Sequence, residues 1–401
     1  MTTKRMLALA VVLAGGAACS SSSPSKVKDG GTDGGSAGKD GGAAGKDGGS
    51  SAGKDGGTTD AATTDAPLDV AMTEVGGDTA AYTPQQARGA YLVNAVIGCP
   101  DCHTPMLPTG APDMTKFLAG NASFVALPNG DKLGSRNLTN DATGLKNISD
   151  DDIKSLFMTG QRGVGTSLEV LNPTMPYYVF HNMSSDDADA IVAYLRTVPA
   201  VVNTIPKRGA SFDVTAPANA LDPNLIPLPV DTYTNRESAL RGRYLAAESG
   251  LCVECHTPHL ATGADVLDTT KFFAGGEDYS SLFAATLMIH PVSKNLTSDA
   301  TTGLGTWALS DVLAAVQMGK AKDGSNICPP MPTADYAHLT AADATDIANY
   351  IKSLPPVVHA IADMCAFPPV AAPDGGTSEA GSEAGSEAGS DTAAAGDASG
   401  N

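Results

Sequence analysis

The sequence contains one long internal repeat, which restricts the chain to folds built from two similar units. A CPDCH segment that begins at Cys99 returns as CVECH at Cys252, and the flanking segments return with it: KFLAG as KFFAG, RNLT as KNLT, and ATGL as TTGL. Equivalent positions are separated by 153 residues at Cys99 and Cys252 and by 159 residues at Ala142 and Thr301. A duplication of this length predicts two copies of one structural unit, each of about 120 residues.

Each copy carries a Cys-x-x-Cys-His motif, and this motif predicts covalent attachment of a c-type haem. Two cysteines three residues apart on a helical turn place both sulfurs on one face, where they reach the two vinyl groups of one porphyrin. The histidine that follows can turn its imidazole to the iron as the proximal ligand. A zinc site usually separates its histidine from the cysteine pair, and a thioredoxin-like motif does not require the histidine. We therefore expect two haem c groups, attached through Cys99, Cys102 and His103 and through Cys252, Cys255 and His256.

Capping signals and apolar spacing predict helices in both copies. Thr83 opens a Thr-Pro-Gln-Gln capping box ahead of the first haem motif, and Thr234 opens a Thr-x-x-Glu box ahead of the second. Ser149, Ser184 and Thr340 each stand three residues before an aspartate and open further helices. No segment shows a convincing alternation of apolar and polar residues, so the expected fold is two all-α domains in tandem.

These motifs together resemble class I cytochrome c. In that family a CxxCH motif follows an N-terminal helix, a Met-Pro pair lies in a loop, and a terminal helix like the AIVAYLRTVP of this chain closes the domain. The CHTP, NLT and TGL segments resemble more narrowly the multihaem cytochrome c subunits that accept electrons from membrane-associated bacterial alcohol, gluconate and related dehydrogenases. The resemblance covers about residues 81–205 and 236–360. Those subunits usually carry three haem motifs and this chain carries two, which leaves its partner open.

A Met-Pro pair occupies equivalent positions in the two copies, at Met175 and Met331. A thioether is a soft ligand, and histidine–methionine ligation raises the reduction potential of a haem, so we expect both methionines to be the sixth iron ligands. The alternative is that they only fill the core. His181 competes for the first haem, but Ala337 stands at its position in the second copy. Four histidines without a counterpart are expected at the surface or near the ligands: His259, His290, His338 and His359.

The groups around each haem are less strongly specified by the sequence. The carbonyl or carboxylate that orients each proximal imidazole is expected in the loops after Pro105 and Pro258. Candidates to hold the haem propionates, with a solvated surface role as the alternative, are Arg136, Asn137, Lys294, Asn295 and the single Trp307.

Two further cysteines, Cys328 and Cys365, lie in the second copy outside the haem motif. An exported chain lies outside the reducing cytosol, where leftover thiols tend to pair. A Cys328–Cys365 disulfide would tie the Met331 loop to the end of the terminal helix. The first copy has no such pair.

The two ends of the chain indicate export and low complexity. Lys4 and Arg5 precede a short apolar stretch, and Cys19 then follows small residues as in a bacterial lipoprotein signal. Gly16 stands where such signals usually have leucine, so cleavage after Ala18 is the alternative. The flanking segments have too few apolar residues to fold. The expected organisation is a signal peptide at 1–19, a disordered tether at 20–80, a first cytochrome c domain at 81–205, a linker at 206–233, a second cytochrome c domain at 234–366 and a disordered acidic tail at 367–401.

The formal net charge of −19 argues against a nucleic-acid partner and favours docking to basic faces of redox proteins, although acidity also serves solubility alone. We expect an electron carrier rather than an enzyme. It would lie on the periplasmic side, anchored by lipid at Cys19, and relay electrons from a dehydrogenase to a cytochrome or oxidase. A di-haem cytochrome c peroxidase is the alternative, but it needs an iron whose sixth position opens, whereas both copies offer Met-Pro. Haem-based sensing or a structural role in a larger assembly is a third possibility.

Overall fold

The computed structural model describes residues 82–108, 110–163, 168–260, 266–279 and 291–362. The predicted export signal, Cys19, the tether, Cys365 and the acidic tail lie outside these residues. Within the described residues helices dominate and the strands are few and short, which is compatible with a cytochrome c fold. Among these residues, no helix has the length and apolar character needed to cross a membrane.

Five helices follow one another in the same order in each half of the described chain. The first half contains α1 (Pro84–Tyr91), α2 (Cys99–His103), α3 (Asp150–Thr159), α4 (Tyr177–Phe180) and α5 (Ser185–Leu195). The second half contains α6 (Arg236–Ala247), α7 (Cys252–His256), α8 (Leu309–Met318), α9 (Thr333–Tyr336) and α10 (Ala341–Ser353). A π-helical segment, Leu92–Val96, continues α1 toward the first haem motif. Short 3-10 turns lie at Met114–Lys116, Ala210–Phe212 and Thr269–Lys271.

The first half also contains two small antiparallel ladders, which corrects the expectation of helices alone. Strand β1 (Val125–Ala126) pairs with β2 (Lys132–Leu133), and β3 (Gln161–Arg162) pairs with β4 (Glu169–Val170). Each strand has two residues. An alternating pattern needs four or more residues to be recognised, so the sequence carried no signal for these strands.

Four of the five predicted helix starts are confirmed. The side chains of Thr83, Ser149, Ser184 and Thr340 each accept a hydrogen bond from the backbone N–H three residues later. The expected cap at Thr234 was wrong, because α6 begins at Arg236, one residue later than a Thr234 cap would place it, and has no side-chain cap.

Within each half, the first and last helices cross in close contact at a glycine. A Cβ atom at Gly89 in α1 would lie 1.9 Å from the carbonyl oxygen of Ala190 in α5. A Cβ atom at Gly242 in α6 would lie 1.9 Å from the carbonyl oxygen of Asp346 in α10. Only a residue without a side chain allows the helices to approach this closely. The two crossings bring each terminal helix against the helix that leads to the haem motif.

The apolar core is continuous across the two halves. One cluster joins Val93 and Ile191 of the first half to Val312 and Ile347 of the second. A second cluster joins Tyr178 and other residues of α4 to side chains of α6 and α10. The π-helical segment of the first half contacts α9 of the second. The two halves therefore pack against each other through apolar surface.

Candidate haem sites

The two cysteine pairs lie on α2 and α7, each a single helical turn. All four thiols are free and partly buried. Burial raises the pKa of Cys99, Cys102 and Cys255 to about 12 and that of Cys252 to about 11. A raised pKa is the usual consequence of placing a thiol in apolar surroundings, because burial disfavours the charged thiolate.

The histidine that ends each motif is oriented by a backbone carbonyl. Nδ1 of His103 lies 2.7 Å from the carbonyl oxygen of Arg136, and Nδ1 of His256 lies 2.8 Å from that of Lys294. A carbonyl only accepts hydrogen bonds, so each Nδ1 carries the proton and each Nε2 keeps a free lone pair. Burial lowers the pKa of both imidazoles, which favours the neutral form that an iron atom requires.

These acceptors lie in the stretches of chain that follow Pro105 and Pro258, as expected, but well beyond the Thr-Pro pairs. They belong to the RNLT and KNLT segments, 33 and 38 residues beyond the histidines. The threonine next to each histidine has a different role. The hydroxyl of Thr104 accepts a hydrogen bond from the N–H of Leu118, and the hydroxyl of Thr257 accepts one from the N–H of Phe273. The two sites thus share their local hydrogen bonding as well as their motifs.

Asn137 and Asn295, considered as candidates to hold propionates, are buried and use their amide groups inside the protein. Nδ2 of Asn137 donates to the carbonyl of Val201 at 2.9 Å, and Nδ2 of Asn295 donates to that of Val357 at 2.8 Å. Each therefore ties the segment that orients the imidazole to the segment that follows the terminal helix. Arg136 remains partly exposed, with its guanidinium 3.9 Å from Glu169.

The expected sixth ligands lie in equivalent segments just before α4 and α9. Met175 packs against both apolar clusters, and Met331 packs against the first. The Met331 segment lies beside the second cysteine pair, because the hydroxyl of Tyr336 in α9 hydrogen-bonds to Cys252. The competing His181 is exposed, and its Nδ1 lies 3.2 Å from the carbonyl of Met158.

The two haem motifs contact the opposite half of the molecule, which the sequence did not predict. The hydroxyl of Tyr178, three residues after Met175, donates to Glu254 of the second motif at 2.5 Å. On the other side of the contact, Asp335, four residues after Met331, lies against Asp101 of the first motif. Burial and the neighbouring charge raise the pKa of Asp335 to about 7. Cys102 is also near enough to Cys255 to contribute to the raised pKa of that thiol.

His259, which has no counterpart in the first copy, completes this contact on one side. Its Nε2 lies 3.2 Å from Glu254 and its Nδ1 lies 3.3 Å from Glu277, and its side chain is 12% exposed. His259 is therefore part of a buried charged cluster next to the second haem motif. The sequence signal for it was its position three residues after the proximal histidine.

Cys328, three residues before Met331, takes part in a disulfide. The predicted partner, Cys365, lies outside the described residues, so the pairing remains a prediction.

The donor set at each site fits haem c. Two thiols on one turn are followed by an imidazole whose Nε2 is free, and each half carries a Met-Pro segment whose methionine packs against the apolar core. In the part of the chain that the structure describes, no three His, Cys, Asp or Glu side chains are grouped so as to hold a metal ion by themselves. A Cys/His zinc centre is therefore not formed by the described residues.

Comparison with known proteins confirms the resemblance to dehydrogenase cytochrome subunits, although no family model matches the chain. The fructose dehydrogenase cytochrome subunit of Gluconobacter japonicus is 28% identical over 284 residues, which cover 69% of this chain and 54% of the relative. The gluconate 2-dehydrogenase cytochrome c subunit of Pantoea cypripedii is 29% identical over 282 residues, covering 67% of this chain and 59% of the relative. The cytochrome c subunit of the quinone alcohol dehydrogenase of Gluconacetobacter polyoxogenes is 30% identical over 283 residues, covering 67% and 56%.

The chain thus spans somewhat more than half the length of the curated relatives it matches. These relatives are the cytochrome subunits of their complexes and not the catalytic subunits. A cytochrome c relationship implies covalently bound haem c and electron transfer.

Proposed function

We propose that this chain is an electron carrier that binds two haem c groups, one in each half. Cys99, Cys102 and His103 would hold the first group, with Met175 as the sixth ligand. The second would be held by Cys252, Cys255 and His256, with Met331 as the sixth ligand. Haem c supplies a reversible one-electron change at iron. The observation that carries the proposal is the pair of free CxxC turns, each followed by a histidine whose Nδ1 is fixed to a carbonyl.

We further propose that the two halves are tandem class I cytochrome c domains that arose by duplication. The same order of five helices and the glycine crossings at Gly89 and Gly242 support this. The paired carbonyl and threonine contacts around the two histidines support it as well.

The proposed route runs from a periplasmic dehydrogenase, through the two haems, to a respiratory acceptor. The names of the relatives support a dehydrogenase as donor, and the chain spans somewhat more than half of the length of these relatives. Lipidation at Cys19 would hold the carrier at the membrane on the periplasmic side. Stable anchoring takes more than one acyl chain, as bacterial lipoproteins carry. The Cys19→Ser variant should then move from the membrane fraction to the soluble periplasm, and a wild-type protein already found in the soluble fraction would refute the anchor.

Haem stoichiometry tests the central proposal. Protein produced with haem-attachment machinery should retain two haems per chain after extraction with acid and acetone, because thioether bonds survive this treatment. The double variant Cys99→Ala with Cys102→Ala should retain one. The Cys328→Ser variant, which removes a cysteine outside both motifs, should still retain two. Loss of all haem from the wild type on extraction would refute covalent attachment.

A peroxidase would differ at the sixth position of one iron. The carrier proposal expects half-reduced protein to bind no carbon monoxide and to consume peroxide no faster than free haem peptide. Carbon monoxide binding together with rapid peroxide consumption would instead establish the peroxidase.

A further inference from the structure

The segment that joins the two halves runs directly across the segment that carries Met175. Nη1 of Arg208 donates to the carbonyl of Val170 at 2.7 Å, five residues before Met175. Nδ2 of Asn172 donates to the carbonyl of Phe212 at 3.0 Å, three residues before it. The residues that precede Met175 are thus hydrogen-bonded to the connecting segment at two points.

The same segment also holds the residues that follow Met175. The N–H of Ala218 donates to the hydroxyl of Tyr177 at 2.8 Å, and the N–H of Leu221 donates to the carbonyl of Tyr178 at 2.9 Å. Leu221 packs with both tyrosines in the second apolar cluster, where Tyr177 and Tyr178 are each 1% exposed. Contacts before and after Met175 therefore come from one continuous stretch of chain.

This stretch is itself fixed at both ends. At its start, the N–H of Gly209 donates to the carbonyl of Lys132 in β2, at 2.8 Å. At its end, the guanidinium of Arg243 in α6 donates to the carbonyl of Pro223. The hydroxyl of Tyr350 in α10 donates to that of Pro227 at 2.9 Å. A segment tied to the first half at one end and to the second half at the other has little freedom to move away.

The Met331 segment of the second half is held by other means. Cys328 provides a disulfide three residues before Met331. By composition alone, the loop before Met175, residues 162–174, would open more readily, because it contains two glycines and no cysteine. The contacts with the connecting segment argue for the opposite.

We infer that residues 208–227 form a strap that holds Met175 at the first haem site and opposes its replacement by external ligands. Arg208 acts as a positioning residue through the carbonyl of Val170. The inference rests on the proposed histidine–methionine ligation. It gives the connecting segment a role in keeping the first site closed, in addition to joining two domains.

Competition with imidazole tests the strap. A Met331→His background leaves the weak long-wavelength absorption of a sulfur–iron bond to the first site alone. In this background, Arg208→Gln should lower the imidazole concentration that halves the absorption by about tenfold, since hydrogen bonds from charged donors are the stronger ones. The matched control is Lys207→Gln, which makes the same charge change at the neighbouring exposed residue and should leave the midpoint unchanged.

Hydrogen exchange provides a readout that does not depend on the iron ligand. Amides of residues 168–176 should exchange faster in Arg208→Gln than in Lys207→Gln, while amides of α7 and α10 keep their rates. Equal imidazole midpoints and equal exchange in the two variants would overturn the strap. Faster exchange throughout the molecule would also overturn it, because the effect would then be global destabilisation. If the parent protein shows no sulfur–iron absorption, methionine ligation fails and the role of the strap at the haem fails with it, whereas faster exchange of residues 168–176 in Arg208→Gln would then show only that the connecting segment holds this loop.

Discussion

At the scale of single residues, His259 shows how a buried charge is stabilised next to a haem motif. Burial alone would lower the pKa of this imidazole, but its ion pairs with Glu254 and Glu277 raise it to about 10. Glu254 also accepts the hydroxyl of Tyr178 from the opposite half. The positive imidazolium therefore balances the negative charge of Glu254, whose carboxylate also links the two halves.

The raised pKa predicts a specific pH dependence of stability. An unfolded histidine has a pKa near 6.5, so between about pH 6.5 and pH 10 the folded protein keeps a proton that the unfolded chain releases. The stabilisation is complete below about pH 6.5 and is lost as pH rises through 10. We expect His259→Gln to lower the free energy of unfolding by about 2 kcal/mol at pH 6.5 and by much less at pH 10. Urea unfolding across this range measures the difference.

The control for this prediction is His338→Gln, which changes an exposed histidine of the same half. Its unfolding free energy should follow that of the wild type at every pH. Parallel wild-type and His259→Gln curves would mean that His259 does not gain a proton on folding.

The carbonyls that orient the proximal imidazoles could not be predicted from the sequence. The sequence identified His103 and His256 because a CxxCH motif is a pattern of side chains. Their acceptors are main-chain atoms, and a carbonyl has no residue signature. The aligned residues are Arg136 and Lys294, whose side chains differ while the backbone contact is the same. The only sequence feature shared by these two positions is the Asn-Leu-Thr segment that follows each of them.

At the scale of elements, the glycine crossings decide how closely the helices pack. Gly89 and Gly242 lie in the interiors of α1 and α6, where glycine normally destabilises a helix relative to alanine by roughly 1 kcal/mol. That cost is offset by an approach in which the carbonyl of the facing helix occupies the space of a side chain. The balance between propensity and packing therefore favours glycine at both positions.

Gly89→Ala tests this balance, because the two effects have opposite signs. If packing dominates, the new methyl group forces α1 away from α5, and the protein should lose about 3 kcal/mol of stability despite the gain in helix propensity. Gln85→Ala, on the exposed part of the same helix, should change stability only slightly. Thermal unfolding of both variants gives the comparison, and a stabilised Gly89→Ala protein would contradict the close crossing.

Helix starts could be predicted from the sequence where the capping side chain lies close in sequence to the backbone group it binds. Side-chain caps such as Ser149 and Ser184 lie within three residues of the groups they bind, and the sequence located them correctly. Thr234 has the same pattern without the cap, because α6 begins at Arg236 and its N-cap position is occupied by Asn235. The π-helical segment and the two-residue strands have no distinctive local pattern and were not predicted.

At the scale of the whole molecule, the two halves exchange equivalent tyrosines. The hydroxyl of Tyr91 in α1 donates to Asp343 at 2.5 Å and accepts from the N–H of Thr340, at the start of α10. The hydroxyl of Tyr244 in α6 donates to Asp187 at 2.6 Å and accepts from the N–H of Ser184, at the start of α5. Each tyrosine lies eight residues before the first cysteine of its haem motif. The start of each terminal helix is thus hydrogen-bonded by the opposite half, a relation that a sequence repeat cannot reveal.

This exchange predicts that the halves unfold as one unit, although each carries its own haem motif. Burial and the hydrogen bond to an aspartate raise the pKa of both hydroxyls, so they remain donors at any ordinary pH. Replacing both with phenylalanine keeps the rings in the shared core and removes only the polar bonds, at a cost of about 1 kcal/mol for each bond lost. We expect calorimetry to show a single transition for the wild type and a broadened or divided one for the double variant Tyr91→Phe with Tyr244→Phe.

The matched control is Tyr233→Phe, which removes a hydroxyl bonded to Asn349 without linking the two halves. This variant should melt at a lower temperature while keeping a single transition, because its lost bond lies within one cooperative unit. The single variants Tyr91→Phe and Tyr244→Phe should each have a transition width between those of the wild type and the double variant, since the two tyrosines act at separate points of the same interface. A double variant that still unfolds in one sharp transition would show that the remaining contacts, the apolar packing and the Tyr178–Glu254 bond, are enough to join the halves. The tyrosine exchange would then affect stability without setting cooperativity.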